Sequence, residues 1–209
     1  MAEQKKQPSV DAAPDIREKL LQSALRLFTQ KGYASTTVRE IVAETGVSKP
    51  VLYYYFENKE GIYRELMQRF LTSMDSIFDN APAADKPIRE QLFQLAEKMF
   101  VIAVQNRDAL RLLHAIYYGP PQGAPVFDFD AHYLHSFEHV RKIVRKGIRS
   151  GELAPGREED IAWLLMAAAQ IAIEEQICDR PPLIDRHQLK RILEVLFRGI
   201  GRKYEKKKR

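Results

Sequence analysis

The stretch "TTVREIVAETGVSKPVLYYYF", Thr36–Phe56, holds two short helical patterns separated by one glycine. Thr37 can cap the first, and Glu40 three residues later completes a capping box, while Val38, Ile41 and Val42 supply an apolar side. Gly46 breaks that helix after about two turns. Ser48 then caps a second short helix that runs to about Tyr55. Helix, tight glycine turn, helix is the pattern of a helix-turn-helix. Upstream, Ile16, Leu20, Ala24, Leu27 and Phe28 recur at three- and four-residue steps, with Asp15 as N-cap and Gly32 as the stop after Lys31. Downstream, Asn58 opens a longer helix carrying Ile62, Leu66, Phe70, Met74 and Ile77, interrupted by "NAPAADKP" near Pro82. The fold-defining feature is therefore a set of three helices at the head of the chain.

Advancing 100° per residue along Ser48–Phe56 puts Leu52 and Phe56 on one side, and Pro50, Val51, Tyr53 and Tyr54 on the other. Leu52 and Phe56 are the inward anchors. Outward tyrosines reduce solubility unless something meets them, and a phenol offers ring surface with one hydroxyl donor suited to a phosphate oxygen. The second helix of a helix-turn-helix can lie in the major groove. There Lys49 reaches a guanine edge or a phosphate, and Val51 packs on a thymine methyl. Tyr55 turns towards the flank, where it serves equally well as an aromatic clamp between helices.

Composition sets wide limits. The 209 residues, 45% hydrophobic and 29% charged, describe an ordinary globular chain rather than a disordered one. A single cysteine, Cys178, allows no internal disulfide. The N-terminal residues show no apolar signal region, and the longest apolar run, Ile161–Ile173, is shorter than the roughly 20 residues of a membrane-spanning helix. The expectation is a cytoplasmic protein with no membrane partner. The net charge of +5 equals that of the last eight residues alone, RKYEKKKR, whereas residues 15–64 hold eight basic and six acidic side chains. Total charge is thus weak evidence for nucleic acid, and placement must carry the case.

The segment "LLQSALRLFTQKGYASTTVREIVAETGVSKPVLYYYFENKEGIYREL", Leu20–Leu66, resembles the DNA-binding domain of the TetR (tetracycline-repressor) family of bacterial regulators. The resemblance rests on Ala24, Leu27–Phe28, Gly32, Thr36–Val38, Ile41, Gly46–Ser48, Leu52–Tyr53, Tyr55–Phe56 and Lys59–Glu60, in order and at the family's spacing. Ile62 replaces the usual leucine, and Pro50 stands where glycine is commoner. Proline is tolerated in a helix's first turn, so Pro50 bears on base preference and not on fold. The resemblance implies that Thr37 holds a phosphate at its helix start, that Lys49, Pro50 and Val51 approach bases, and that Tyr53, Tyr54 and Lys59 grip the backbone. Helix N-termini independently favour anions, which supports Thr37 and adds Ser48. It further implies an all-helical homodimer that represses transcription from a double-stranded DNA operator and is released by a small-molecule effector.

Beyond residue 85, long amphipathic helices are expected at about 88–105, 107–118, 130–150, 157–178 and 185–203, with no alternating strand pattern and no internal repeat. The expected architecture is all-α, about nine helices: a disordered leader (1–14), a helix-turn-helix domain (15–60), a helical ligand-binding and dimerisation domain (61–203) and a basic tail (204–209). "IAWLLMAAAQIAI" is apolar nearly all round and must be covered on more than one side. With the last helix it suggests a four-helix dimer interface through Ala168, Ile171, Leu189, Ile192, Leu193, Leu196 and Phe197, and two-fold symmetry then predicts a pseudo-palindromic operator. Phe93, Phe100, Tyr117, Phe127, Tyr133, Phe137, Trp163 and Met166, with His114 as a polar fixture, form an aromatic inventory suited to an apolar or aromatic ligand. No cofactor is expected.

One motif argues for different chemistry. "HYLHSFEHV" places His135, Glu138 and His139 in H-x-x-E-H order, with His132 one turn earlier, a spacing that can put two imidazoles on one helical face as metal ligands. The pattern is short, and no third-ligand motif accompanies it. A metal-dependent enzyme or a metal-responsive regulator is the rival to a DNA-binding regulator that is not an enzyme.

Overall fold

The computed structural model describes residues 13–79 and 85–199. Among them lie nine α-helices and no strand: α1 Ala13–Lys31, α2 Val38–Thr45, α3 Lys49–Phe56, α4 Lys59–Asp79, α5 Ile88–Gln105, α6 Arg107–Tyr117, α7 Phe129–Ser150, α8 Glu158–Glu174 and α9 Arg186–Arg198. A 3-10 turn, Glu175–Ile177, follows α8. The all-α class and the helix count match the sequence expectation, and the predicted bounds of α5 to α7 agree to within a residue at each end. The leader up to residue 12, most of "NAPAADKP" and the basic tail lie outside the described residues.

The chain divides into two compact units: one takes the residues up to Phe70 together with Asp108–Phe127, the other takes Leu71–Arg107 and the residues from Asp128 onward. The sequence expectation put its boundary between residues 60 and 61 and kept each domain contiguous. The observed first unit is discontinuous, because it takes in α6 after Arg107 and the loop that follows.

In the first unit the apolar steps noted in the sequence become the core. Leu20, Leu21, Ala24 and Phe28 of α1, Ile41 and Val42 of α2, Leu52 and Phe56 of α3, and Ile62, Tyr63 and Met67 of α4 are all buried. Fully burying side chains of this size is worth about 1.5–3 kcal/mol each, so these contacts outweigh the weak intrinsic stability of two eight-residue helices. Ion pairs join the helices at the rim: Arg17 to Glu65, Arg69 to Glu18, and Arg26 to Glu44. α1 ends at Gly32, whose φ of 84° lies in the left-handed region that glycine adopts without strain.

The second unit packs α5, α7, α8 and α9 around Leu92, Leu95, Phe100, Val140, Val144, Leu165, Ala169, Leu189 and Leu193. Four alanines of α8 inside that core, Ala162, Ala168, Ala169 and Ala172, allow its neighbours to approach closely. Arg141 and Arg145 of α7 tie α7 to α8 through Glu158 and Glu159. No helix among the described residues is long and apolar enough to cross a membrane.

Candidate nucleic-acid interface

α2 begins in the predicted capping box. The Glu40 amide donates to the Thr37 hydroxyl at 3.3 Å, while the Thr37 amide and hydroxyl both donate to Glu40 Oε2, at 2.8 and 2.7 Å. Lys31 binds the other carboxylate oxygen of Glu40. The Lys31 bond foremost, and the Thr37 bonds after it, hold the Glu40 carboxyl down at about 2. The start of α2 therefore already carries an anion of its own, and both Thr37 donors are engaged by it. Gly46, with φ 71°, turns the chain into α3 through the left-handed conformation expected of a glycine stop.

α3 has Ser48 as its N-cap residue in extended conformation, without a side-chain cap bond, and Pro50 in the first turn, where no intrahelical donor is needed. The inside-outside division follows the 100° rotation. Leu52 is fully buried and Phe56 nearly so, whereas Tyr53 is 47% and Tyr54 82% exposed. Ser48, Lys49 and Pro50 are exposed, and Val51 is half-buried. Tyr55 is half-buried too, with its ring 5.0 Å from Tyr54 and 6.3 Å from Phe56, so it braces the other two aromatics. The result is a short helix with an apolar back and a front of one ammonium, one hydroxyl and two phenols.

Lys59 occupies a different place from the one the resemblance implied. Its ammonium donates to the carbonyl oxygens of Tyr33 and Thr36 at 2.8 and 2.9 Å, and lies 4.1 Å from the centre of the Tyr33 ring. Burial pushes its pKa down. Lys59 thus braces the α1–α2 corner from below. Arg39, absent from the sequence expectation, stands exposed in the first turn of α2. The signal for it was available: Arg39 is a basic residue two positions after the capping Thr37 and points away from Ile41.

The other predicted sites are less well brought together. Of the aromatic inventory, His114, Tyr117 and Phe127 belong to the first unit, and Phe93, Phe100, Tyr133, Phe137, Trp163 and Met166 to the second. Phe100 and Met166 are buried core residues, and Phe93 stacks on Phe197 at 5.4 Å. Tyr133 and Trp163 stand at the surface, and Phe137 packs on Trp163 at 4.7 Å. An apolar cavity of about 20 Å³ within the second unit is lined by Leu92, Leu95, Met99, Val140, Leu165 and Met166 among others. It has room for about one water molecule and none for a drug-sized ligand. Of the residues expected at a dimer interface, Ala168, Leu189 and Leu193 are buried inside the unit, Ile192, Leu196 and Phe197 pack partly against its core, and Ile171 is 53% exposed. Apolar patterning identified the buried stripe of α9 without revealing that its own unit covers it.

The histidine motif is dispersed among other partners. His132 Nδ1 lies 2.7 Å from Asp75 Oδ2, Glu138 accepts from Arg141 at 2.8 Å, and the rings of His135 and His139 lie edge to face at 4.6 Å beside Phe78. Among the described residues no group of three or more His, Cys, Asp or Glu side chains is arranged to hold a metal ion. With Glu138 engaged by a guanidinium, the four residues do not form a ligand set.

An all-helical chain with a capped two-helix motif, an inward-anchored second helix and an exposed phenol and ammonium front defines a helix-turn-helix protein. The family model of the tetR family of bacterial regulatory proteins matches residues 20–66, the segment that builds this motif. Similar proteins include the probable HTH-type transcriptional regulator YttP of Bacillus subtilis, 29% identical over 47% of this chain and 48% of its own length. The HTH-type transcriptional repressor KstR2 of Mycolicibacterium smegmatis is 26% identical over 70% of this chain and 72% of its own. The chain thus spans about half the length of YttP. Among solved structures, the TetR family transcriptional regulator PfmR from Thermus thermophilus superposes with a TM-score of 0.71 at 23% identity, over 89% of this chain and 97% of that one. That likeness extends the shared fold well beyond the matched motif.

Proposed function

We propose that this chain is a transcriptional repressor that binds a pseudo-palindromic DNA operator as a homodimer and is released by a small apolar or aromatic molecule. The observation that carries it is the front of α3. Lys49, Tyr53 and Tyr54 are exposed together on a helix whose back is locked by Leu52 and Phe56. In the major groove, Lys49, Pro50 and Val51 meet base edges, while Tyr53, Tyr54 and Ser48 meet phosphate oxygens. Arg39, at the exposed start of α2, adds a phosphate contact, and Thr37 contacts phosphate only where Glu40 yields its donors. Lys59 supports the surface from behind.

For the dimer, α8 supplies a stripe at three- and four-residue spacing, Leu164, Ala167 and Ile171, exposed on the side opposite its buried alanines. Monomeric proteins rarely leave such a stripe uncovered, and an isologous pairing of two copies covers it. For the effector, the small cavity lined by Leu92, Met99 and Met166 is apolar throughout, and methionine side chains can move to enlarge it. The experiment is selection of duplexes from a randomised pool by the purified chain, followed by titration at several salt concentrations. A recovered inverted repeat bound with steep salt dependence supports the proposal, and no enriched duplex counts against it.

A further inference from the structure

The loop "YGPPQGAPVF", Tyr118–Phe127, belongs to the first unit and puts Gln122 against the corner where α1 gives way to α2. Gln122 Oε1 accepts the Tyr33 amide at 3.1 Å, and Gln122 Nε2 donates to the Ala115 carbonyl at 3.4 Å, at the end of α6. A left-handed glycine at the end of a helix commonly sends the next amide back to a carbonyl of its own last turn. Here that amide goes to a side chain 89 positions away. The fit is close: a Cβ on Gly32 would lie 2.8 Å from Gln122 Oε1, so a larger residue at position 32 would push the carboxamide from its present place. A second, weaker approach joins the same elements: the Thr29 hydroxyl, which donates to the Leu25 carbonyl at 2.8 Å, also lies 3.3 Å from the Asp108 carbonyl.

The peptide groups flanking Tyr33 are consequently held on both sides. Gln122 takes the amide, and Lys59 takes the carbonyl and also that of Thr36, one residue before the cap of α2. The Tyr33 ring is fixed as well, 5.2 Å from Phe28 and 5.2 Å from Tyr63. We infer that Gln122 is a positioning residue for DNA binding: its carboxamide sets the α1–α2 corner from which Thr37, Arg39 and the helix-turn-helix project. This rests on the DNA-binding function proposed above. Gln122 itself touches no DNA in this scheme, so losing it weakens binding without changing the number of phosphates neutralised.

The test compares Gln122→Met, which keeps the volume and removes the amide acceptor, with Gln122→Glu, which keeps an acceptor at the same reach. Hydrogen exchange at the Tyr33 amide is read first, on the full chain without DNA. Protection is expected to fall in Gln122→Met and to persist in Gln122→Glu. Binding is then measured on a duplex that the wild-type chain selects from a randomised pool. Gln122→Met is expected to bind about three- to tenfold more weakly, the effect of one net hydrogen bond, with an unchanged dependence on log salt. Unchanged Tyr33 protection, binding within twofold of wild type, or a reduced salt slope would each overturn the inference. A wild-type chain that selects no duplex removes the DNA-binding proposal and this inference with it. Wild-type binding that Gln122→Met leaves intact removes the inference alone.

Discussion

Lys59 Nζ lies 2.8 Å from the carbonyl oxygen of Tyr33 and 4.1 Å from the centre of that residue's ring. Two residues 26 positions apart therefore close the corner between α1 and α2 with one charged group that binds an acceptor and a π face together. Lys59→Met keeps the alkyl stem and leaves the Tyr33 and Thr36 carbonyls without their ammonium donor. A loss of about 2 kcal/mol of folding stability is expected, read as a lower urea midpoint. Binding to DNA falls as well, because the surface loses its brace, but the salt slope holds. A slope that drops by about one would instead mark Lys59 as a phosphate contact.

Glu40 gives the pH dependence. Its carboxyl is held down from 4.5 to about 2, first by Lys31 and then by Thr37. A depressed carboxylate stabilises the folded chain fully above its ordinary value, and that contribution disappears as pH falls through the folded-state value. Glu40→Gln keeps the capping box, since glutamine can also reach back to the Thr37 amide, and removes the ionisation. Urea midpoints of wild type measured from about pH 5 down to about pH 2 should fall more steeply than those of Glu40→Gln. Parallel curves would show that the Lys31 and Thr37 contacts contribute nothing to acid stability.

The front and back of α3 should separate experimentally. Lys49→Ala removes an exposed ammonium, so folding is unaffected while DNA binding weakens and the log salt slope shrinks by about one. Tyr53→Phe removes one exposed hydroxyl and weakens binding by about the worth of one hydrogen bond to a charged group. Leu52→Ala empties a fully buried position and costs about 2–5 kcal/mol of stability. Circular dichroism melts and gel shifts on the same three variants check all of this. A Lys49→Ala chain with unchanged affinity would move the DNA surface away from α3.

What can be read in the sequence is what depends on near neighbours. Thr37 and Glu40 lie three residues apart, and Gly46 needs only its own φ, so the helix-turn-helix is legible. Leu52 and Tyr53 are sorted by a rotation along one helix. The place of Lys59 is not legible, because its acceptors are backbone carbonyls 26 and 23 positions away, and a carbonyl leaves no mark in the residue pattern. Leu189 and Leu193 look available to a second copy because an apolar stripe does not say which surface covers it. The membership of Asp108–Phe127 in the first unit is hidden for a related reason: a loop rich in proline and glycine shows no periodicity from which a partner could be inferred.

The turn between α3 and α4 stores strain that can be released. Glu57 has φ 60° and ψ −43°, a conformation that side chains with a Cβ rarely adopt. It is the one such non-glycine residue among those described. The next helix is capped directly afterwards, with the Gly61 amide donating to Asn58 Oδ1 at 2.8 Å. Glu57→Gly should therefore raise stability by about 1 kcal/mol, the relief of backbone strain reduced by the added freedom of the unfolded chain. A higher urea midpoint with unchanged DNA affinity is expected. A lower midpoint would mean that the Glu57 side chain makes a contact worth more than the strain.

The two faces of the helices at the end of the chain call for opposite outcomes. Ile171 is 53% exposed on α8, in line with exposed Leu164 and Ala167, whereas Leu189 of α9 is 2% exposed within its own unit. In a dimer that covers the α8 stripe, Ile171 meets its counterpart near the two-fold axis, so Ile171→Glu sets two carboxylates against each other in an apolar interface. Neither can be solvated there or paired, and association is lost while each chain stays folded, since the isoleucine contributes little to its own core. Leu189→Ala does the reverse: it opens a cavity costing about 2–5 kcal/mol and leaves the association surface untouched. Sedimentation equilibrium and thermal melts on the two variants distinguish them. A monomeric, well-folded Ile171→Glu that no longer shifts an inverted-repeat duplex would tie DNA binding to the dimer, because each half-site alone then meets only one α3. An Ile171→Glu chain that still sediments as a dimer would place the interface elsewhere, and the exposed stripe of α8 would then need another partner.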